Sequence, residues 1–227
     1  MTTGPARPRD GVGAVLLDFD GPVCRLFAGY PAPRIAAELV DVLRRRGTRP
    51  PPDLVGEQDP LAVLRRTAAT GDEDATRAVE DALCAAERRA VETAEPTPYA
   101  REVIVAARRA GLAVAVVSNN SAGAVDAYLA AHRLAGHVSS VVGRAYATPD
   151  RMKPDPAPIR AAVRAVGESP GRCVLVGDSL ADLNGARAAG VRVIGYANHP
   201  DKVEAFRAAG ADAVVASMWD VAAVLLG

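Results

Sequence analysis

The chain has 227 residues, 49% of them hydrophobic, and its 27 Lys and Arg residues balance 27 Asp and Glu residues. This length and composition predict a folded protein with one good-sized domain or one domain with an insertion. The zero net charge gives no support for nucleic acid or a membrane as the main partner, and no apolar run is long enough to span a bilayer.

Cysteine usage and the N-terminus indicate the compartment. The three cysteines, Cys24, Cys84 and Cys173, are far apart and odd in number, which favours reduced thiols in a cytoplasmic protein over a disulfide framework or a metal site. Residues 1–11 are polar and Pro-rich without the apolar core of a signal peptide, so we expect a poorly ordered tail. We expect a cytoplasmic monomer or weak homodimer.

Short apolar runs recur along the chain and are nearly continuous in Val, Leu and Ile, as expected for parallel strands covered on both faces. Helix-length segments lie between most of them. The alternation predicts an α/β fold, a doubly wound parallel sheet that binds ligands at the carboxyl ends of its strands. The predicted strands are 13–17, 112–117, 138–142, 173–176, 191–195 and 213–216.

The segment between the first and second predicted strands is far longer than a crossover helix needs. Its apolar residues at helical spacing are Ile35, Leu39, Val42 and Leu43, and further helices are predicted over about 59–69 and 73–93. We interpret residues 24–95 as a small helical cap domain over the carboxyl end of the first strand. Residues 12–23 and 96–227 then form the core domain. The alternative is a helical layer on one face of the sheet that touches no site.

The first strand runs into "DFDG", which places Asp18 and Asp20 one residue apart. The period of two along a strand aims both side chains to the same side. A solvated loop or a calcium site would look similar, so the pair alone does not identify a function. Gly21 fits a backbone that turns sharply or approaches a ligand closely.

Three further motifs adjoin the later strands. In "SNNS", Ser121 is typical of a helix N-cap, whereas Ser118 and Asn119 offer a hydroxyl and an N–H for an anion at a helix N-terminus. Lys153 in "RMKPDP" would, by itself, usually be a solvated charge. The fourth motif is "GDSLAD"; its carboxylates could equally cap the helix that follows, and they belong to Asp178 and Asp182.

In this order, "DFDG", "SNN", "KPDP" and "GDSLAD" resemble the four motifs of the haloacid dehalogenase superfamily, from about residue 12 onward. The insert after the first strand is similar to the helical caps of its phosphoglycolate phosphatase-like members. The resemblance implies a Rossmann-like core and a Mg²⁺-dependent phosphatase of small phosphorylated metabolites. Pro22 departs from the family pattern, in which Thr or Val follows the glycine, and it removes a backbone N–H near the phosphate.

The motif carboxylates suit a hard cation, which takes oxygen ligands and neutralises phosphate charge. Asp18 and Asp178 can supply carboxylates to Mg²⁺. The resemblance adds the backbone carbonyl of Asp20 as a further ligand and places Asp182 near the metal or its waters.

A carboxylate is ionised at neutral pH without help, so Asp18 can attack phosphorus and form an aspartyl-phosphate. Asp20 would protonate the leaving alkoxide and then deprotonate the attacking water. Lys153 would pair with Asp18 and with the transferring oxygens, which Ser118 and the Asn119 N–H would also hold. The acid at Asp20 favours phosphoryl chemistry over dehalogenation.

Two rival functions stay open at this point. A sugar-phosphate mutase would use the same aspartyl-phosphate but return it to substrate, and a catalytically inactive binding or regulatory protein could retain the scaffold. A phosphonate hydrolase would need a cap lysine, and residues 24–95 contain none. Arg65, Arg66 and His199 are expected to be solvated surface residues.

Overall fold

The computed structural model describes residues 11–47 and 50–226. Apart from Gly11, the tail predicted at residues 1–11 lies outside the described residues. The sheet and the helices that follow its strands alternate along the chain, as the apolar runs predict. In chain order the elements are β1 (Ala14–Leu17), β2 (Cys24–Arg25), α1 (Ala32–Arg45), α2 (Pro60–Ala69), α3 (Glu73–Val91), β3 (Glu95–Pro96), α4 (Ala100–Arg109), β4 (Ala113–Val117), α5 (Ala122–Ala131), β5 (Ser140–Val142), α6 (Ala157–Ala165), β6 (Cys173–Gly177), α7 (Leu180–Ala189), β7 (Arg192–Tyr196), α8 (Lys202–Ala208), β8 (Ala213–Val215) and α9 (Met218–Leu226).

Six strands form a parallel sheet in the order β5–β4–β1–β6–β7–β8. The chain therefore starts at the centre of the sheet and winds outward in both directions, which confirms the predicted doubly wound fold. Both faces are covered: Val15 and Leu17 pack into one apolar cluster, while Ala14 and Leu16 pack into the other. The observed strands match the predicted runs within two residues at either end.

The insert contains α1, α2 and α3, close to the predicted helices. Asp59 and Asp72 start α2 and α3 as N-caps by accepting hydrogen bonds from backbone amides, which satisfies donors that a helix start leaves free. The insert leaves and returns through β2 and β3, a two-residue antiparallel pair that the sequence analysis did not predict. The division into a core domain and a cap domain stays a prediction.

Because β1 is flanked by β4 and β6 in register, with Ala14 opposite both Ala113 and Cys173, the loops that follow these three strands meet at one edge of the sheet. Residues 18–21, 118–121 and 178–179 belong to these loops. None of the helices in the described part of the chain combines the length and the apolar character that crossing a bilayer requires.

Candidate active site

Asp18 and Asp20 follow β1 and both line a cavity of about 530 Å³ between the sheet edge and the insert. The Asp18 carboxylate is buried and its Oδ1 accepts the Phe19 N–H at 2.7 Å. Asp20 Oδ1 accepts the Leu26 N–H at 2.8 Å, where the chain enters the insert. The two carboxylates therefore share a cavity but make separate contacts.

Lys153 is buried beside Asp18 instead of being a solvated loop lysine. Its side chain is 2% exposed, and Nζ donates to Asp18 Oδ1 and to the Val117 carbonyl, both at 2.8 Å. Nζ also lies 2.6 Å from Asp182 Oδ1. Two carboxylates share this one buried ammonium, so the group keeps an excess of negative charge.

The loop after β4 brings Ser118 and Asn119 to the same cavity. The Asn119 side chain pairs with the backbone of Lys153, since Oδ1 accepts the Lys153 N–H at 2.8 Å and Nδ2 donates to its carbonyl at 3.1 Å. The Ser118 hydroxyl donates to Asn120 Oδ1 at 3.0 Å and accepts the Asn120 N–H at the same distance. The loop and the lysine are thus fixed to each other.

Asp18, Asp178 and Asp182 form a cluster of three carboxylates, each offering one oxygen within 4.8 Å of the others. Asp182 serves two purposes: Oδ2 completes a capping box with Ser179 at the start of α7, whereas the buried Oδ1 lies 2.6 Å from Lys153 Nζ and faces the other two carboxylates. Three carboxylates that converge in this way supply the oxygen ligands that a divalent cation takes. The residues present therefore fit Mg²⁺.

Two neighbours keep the cluster in place. Gly21 has φ +117°, and a Cβ there would lie 2.5 Å from Asp178 Cγ, so this position requires glycine on both counts. Pro22 is buried in the turn that follows. The Gly21 carbonyl accepts from Thr97 Oγ1, and the Val23 N–H donates to the Phe19 carbonyl at 3.1 Å. The turn is thus hydrogen-bonded on both sides of the proline.

The chain contains two lysines among its 27 basic residues, and both contact this cluster. Lys202, at the start of α8, donates to the Asp178 carbonyl at 2.7 Å and to Asp178 Oδ2 at 2.8 Å. Asn198 Nδ2 donates to the same Oδ2 at 2.9 Å. Sequence reasoning missed Lys202 and Asn198 because they follow β7 and belong to none of the four motifs.

Burial dominates the protonation of the two aspartates. Burial raises the pKa of Asp18, Asp182 raises it further, and Lys153 opposes the rise. Burial also raises the pKa of Asp20, to about 6, although its bond from the Leu26 N–H works against the shift. A proton is therefore retained on these groups well above the pH at which free aspartate ionises. A divalent cation at the cluster would favour ionised Asp18 and leave Asp20 as the group that holds a proton.

A second set of buried charges lies behind the loop at residues 118–121. Glu80 and Glu87 of α3 both contact Arg144, which follows β5. The Arg144 pKa is lowered by burial but raised more strongly by these carboxylates, so it lies above its ordinary value. One signal of this pairing is present in the sequence, since both glutamates occupy the apolar face of α3, between Val79, Leu83 and Ala90.

The insert closes the cavity from above, with Phe27, Pro33, Gln58, Leu61 and Leu83 among its lining residues. This placement agrees with an insert over the site and not with a helical layer remote from it. Of the residues expected to be solvated, Arg65 is exposed, although its Nη2 donates to the Lys153 carbonyl at 3.5 Å. Arg66 pairs with Asp53 and Glu57, and His199 is an exposed partner of Asp201.

Comparisons with known proteins agree with this fold. The family model of haloacid dehalogenase-like hydrolases matches residues 12–190. A phosphoglycolate phosphatase of Rhodospirillum rubrum is 31% identical over 201 residues, which cover 82% of each protein. A phosphoglycolate phosphatase of Caulobacter vibrioides is 36% identical over 137 residues, covering 59% of this chain and 55% of the relative.

Among solved structures, a haloacid dehalogenase superfamily hydrolase of subfamily IA, variant 1, from Geobacter sulfurreducens is similar with a TM-score of 0.62 and 23% identity. The similarity covers 94% of this chain and 100% of that one, and it supports the fold. The chain belongs to the haloacid dehalogenase-like hydrolase family. It is an enzyme, and its curated relatives place it among the phosphatases of that family.

Proposed function

We propose that the chain is a Mg²⁺-dependent phosphatase that hydrolyses small phosphorylated metabolites through an aspartyl-phosphate on Asp18. The observation that carries this proposal is the convergence of Asp18, Lys153, Asp182 and Ser118 on one cavity closed by the insert. Residues 24–95 act as the cap that excludes water from this cavity during transfer. A cytoplasmic location and a monomer or weak homodimer stay predictions.

Asp18 is assigned as the nucleophile because its buried carboxylate lines the cavity directly after β1 and accepts a hydrogen bond from Lys153. The ammonium neutralises the charge of Asp18 in the resting state and would turn to the transferring oxygens as the bond to phosphorus forms. Ser118 would donate its single hydrogen to a phosphate oxygen in place of Asn120 Oδ1. The Asn119 N–H would hold the same phosphate oxygens.

Asp20 is the proton donor and acceptor. Because burial raises the pKa of Asp20 to about 6, part of the Asp20 population is protonated near neutral pH. The protonated carboxyl can donate its proton to a leaving alkoxide. Once ionised, the same carboxylate removes a proton from the water that hydrolyses the aspartyl-phosphate.

Mg²⁺ would be held by the carboxylates of Asp18, Asp178 and Asp182 and by the backbone carbonyl of Asp20, and it would neutralise phosphate charge. Lys202 and Asn198 fix the orientation of Asp178 from the outer side, as partners of metal ligands usually do. We expect metal affinity to depend on these two residues as well as on the ligands themselves.

The lining of the cavity suggests which leaving group is preferred. Among the described lining residues, Glu57, Asp59 and Glu87 add carboxylates to those of the motifs, and Lys153 is the one Lys or Arg. Gln58 adds an exposed amide. We propose that an uncharged, hydroxylated leaving group fits this lining better than a carboxylate-bearing one such as glycolate, which would leave from phosphoglycolate, the substrate named for the relatives.

The test is phosphate release from p-nitrophenyl phosphate, phosphoglycolate and a panel of sugar and polyol phosphates, with Mg²⁺ and with EDTA. We expect metal-dependent release that Asp18→Asn abolishes, with higher kcat/KM for polyol phosphates than for phosphoglycolate. Asp126→Asn, on α5, serves as a surface control. No release from the folded, Mg²⁺-loaded protein would overturn the phosphatase proposal, whereas isomerised sugar phosphate without free phosphate would establish the mutase.

A further inference from the structure

A buried cluster of charged side chains joins the insert helix α3 to the core next to the cavity. The side chains of Glu80, Glu87 and Arg144 are 1%, 0% and 0% exposed. Arg144 Nη2 lies 2.7 Å from Glu80 Oε1, and Arg144 Nη1 lies 2.8 Å from Glu87 Oε1. Two carboxylates share one guanidinium, so the cluster needs further donors for its second negative charge.

Those donors come from the loop at residues 118–121. Glu87 Oε2 accepts the Ser121 N–H at 2.8 Å, and Oε1 accepts Asn120 Nδ2–H at 3.2 Å. Ser121 occupies the N-cap position of α5 as predicted, but its own hydroxyl makes no capping bond and is buried without a partner among the described residues. Glu87 therefore caps α5 from another helix, where its charge also opposes the positive end of the helix dipole.

The Glu87 carboxylate orients the Asn120 side chain, and Asn120 in turn orients the Ser118 hydroxyl. An ionised carboxylate can only accept, so it holds the NH₂ end of the Asn120 amide and turns the oxygen end toward the Ser118 hydroxyl. Ser118 and Asn120 then exchange two hydrogen bonds at 3.0 Å. Arg144 holds the loop from the other side. Its side-chain Nη1 donates to the Asn119 carbonyl at 2.6 Å, and its backbone N–H donates to the Asn120 carbonyl at 2.8 Å.

We propose that Glu87 and Arg144 are positioning residues that hold loop 118–121 in the geometry in which Ser118 and Asn119 meet the phosphate. The inference rests on the proposed function in taking phosphate as the ligand of this loop. Helix α3 of the insert then takes part in the core site, because its Glu87 carboxylate holds the backbone and the Asn120 side chain of the loop in place. Glu80 contributes to the charge balance of Arg144 but makes no contact with the loop.

The variants Glu87→Gln and Glu80→Gln separate positioning from stability, since each removes one charge from the cluster and only Glu87 touches the loop. Glu73→Gln is the matched control, on the same helix but 83% exposed. We expect Glu87→Gln to weaken the binding of inorganic phosphate in Mg²⁺ about tenfold, as loss of a charged hydrogen bond does. We expect kcat/KM to fall roughly 10- to 100-fold through misplacement of the loop.

Three readouts decide the outcome: calorimetric binding of inorganic phosphate, thermal unfolding, and hydrogen exchange of the amides at 118–121. We expect Glu80→Gln to lower the melting temperature as Glu87→Gln does, but to leave phosphate binding within about threefold of wild type, because it keeps the loop bonds. Faster exchange of the Ser121 amide is expected in Glu87→Gln alone. Equal losses of phosphate binding in both variants, or unchanged exchange in Glu87→Gln, would overturn the proposal.

Asn120→Ala keeps the proposal testable if Glu87→Gln does not fold, because it removes the side-chain bridge between Glu87 and the Ser118 hydroxyl and leaves both ion pairs intact. It must weaken phosphate binding in the same way; wild-type binding would contradict the positioning role. Phosphate binding and amide exchange do not require turnover. An inactive wild type with responsive variants would therefore refute the phosphatase and keep this inference, while an active wild type with silent variants would refute this inference alone.

Discussion

Replacement of Lys153 by methionine tests whether the acidic site depends on its one buried cation. Lys153 Nζ lies 2.8 Å from Asp18 Oδ1 and 2.6 Å from Asp182 Oδ1, with 2% of the side chain exposed. Removing one member of a buried ion pair typically lowers stability by about 3–5 kcal/mol, because the remaining charge is left buried and unpaired. We expect a loss of that size in the free energy of unfolding of Lys153→Met at pH 8 in EDTA.

The pH dependence of this loss gives the sharper test. Without the ammonium, the pKa of Asp18 in the folded state, which burial already raises, moves further up. A carboxyl whose folded pKa is raised destabilises the fold increasingly as pH rises through the interval between its unfolded and folded pKa. At pH 5 Asp18 can take up a proton. The loss should then shrink to about 1–2 kcal/mol, as for a missing hydrogen bond to the Val117 carbonyl.

Urea unfolding of wild type and Lys153→Met at pH 5 and pH 8, in EDTA, measures both quantities. Lys202→Met is the matched control, since Lys202 also pairs with an aspartate of the cluster but its side chain is 33% exposed; its loss should stay within about 1 kcal/mol. A loss in Lys153→Met that is equal at the two pH values, or smaller than that of the control at pH 8, would refute the electrostatic account.

Three further outcomes are expected. Asp178→Asn should weaken Mg²⁺ binding at least about tenfold in calorimetry without unfolding the chain, because the amide keeps contacts with Lys202 but lacks the charge that the cation needs; unchanged affinity would exclude Asp178 as a ligand. Since burial raises the pKa of Asp20 to about 6, the free energy of unfolding of wild type should fall as the pH rises from 4 to 6. In EDTA, Asp20→Asn should therefore be more stable than wild type by about 2–3 kcal/mol at pH 7.5 but not at pH 4. Gly21→Ala should lower both thermal stability and metal affinity, because its φ is +117° and the added Cβ would collide with Asp178; an alanine variant with wild-type Mg²⁺ affinity would contradict the close approach.

The sequence predicted the sheet well because its signal is local. Strands buried on both faces require continuous apolar runs, and the polar motif residues come directly after those runs, so topology alone brings them to one edge. Asp18 and Lys153 are 135 positions apart, yet the resemblance of the motifs to those of the haloacid dehalogenase superfamily was enough to expect them in contact. Their roles in catalysis stay predictions until the variants are measured.

The contacts that sequence reasoning missed are those that depend on tertiary packing without a motif. Glu87 and Arg144 are ordinary charged residues in a chain in which 24% of residues are charged, and their burial follows from how α3 meets the core. Ser121 illustrates the same limit, since it fits the N-cap pattern while a distant carboxylate makes the capping bond. Only the charged positions on the apolar face of α3 could have indicated a buried pairing.

The scarcity of lysine has a practical consequence for spectroscopy. Protein produced with isotopically labelled lysine carries its label at Lys153 and Lys202 alone, and both side chains contact the carboxylate cluster. The spectrum of their Cε groups therefore reduces to two signals, one from a buried ammonium and one from a partly exposed ammonium. Cation binding at the cluster would shift both signals, whereas ligands bound far from it would leave them in place, so occupancy of the site can be followed without a substrate.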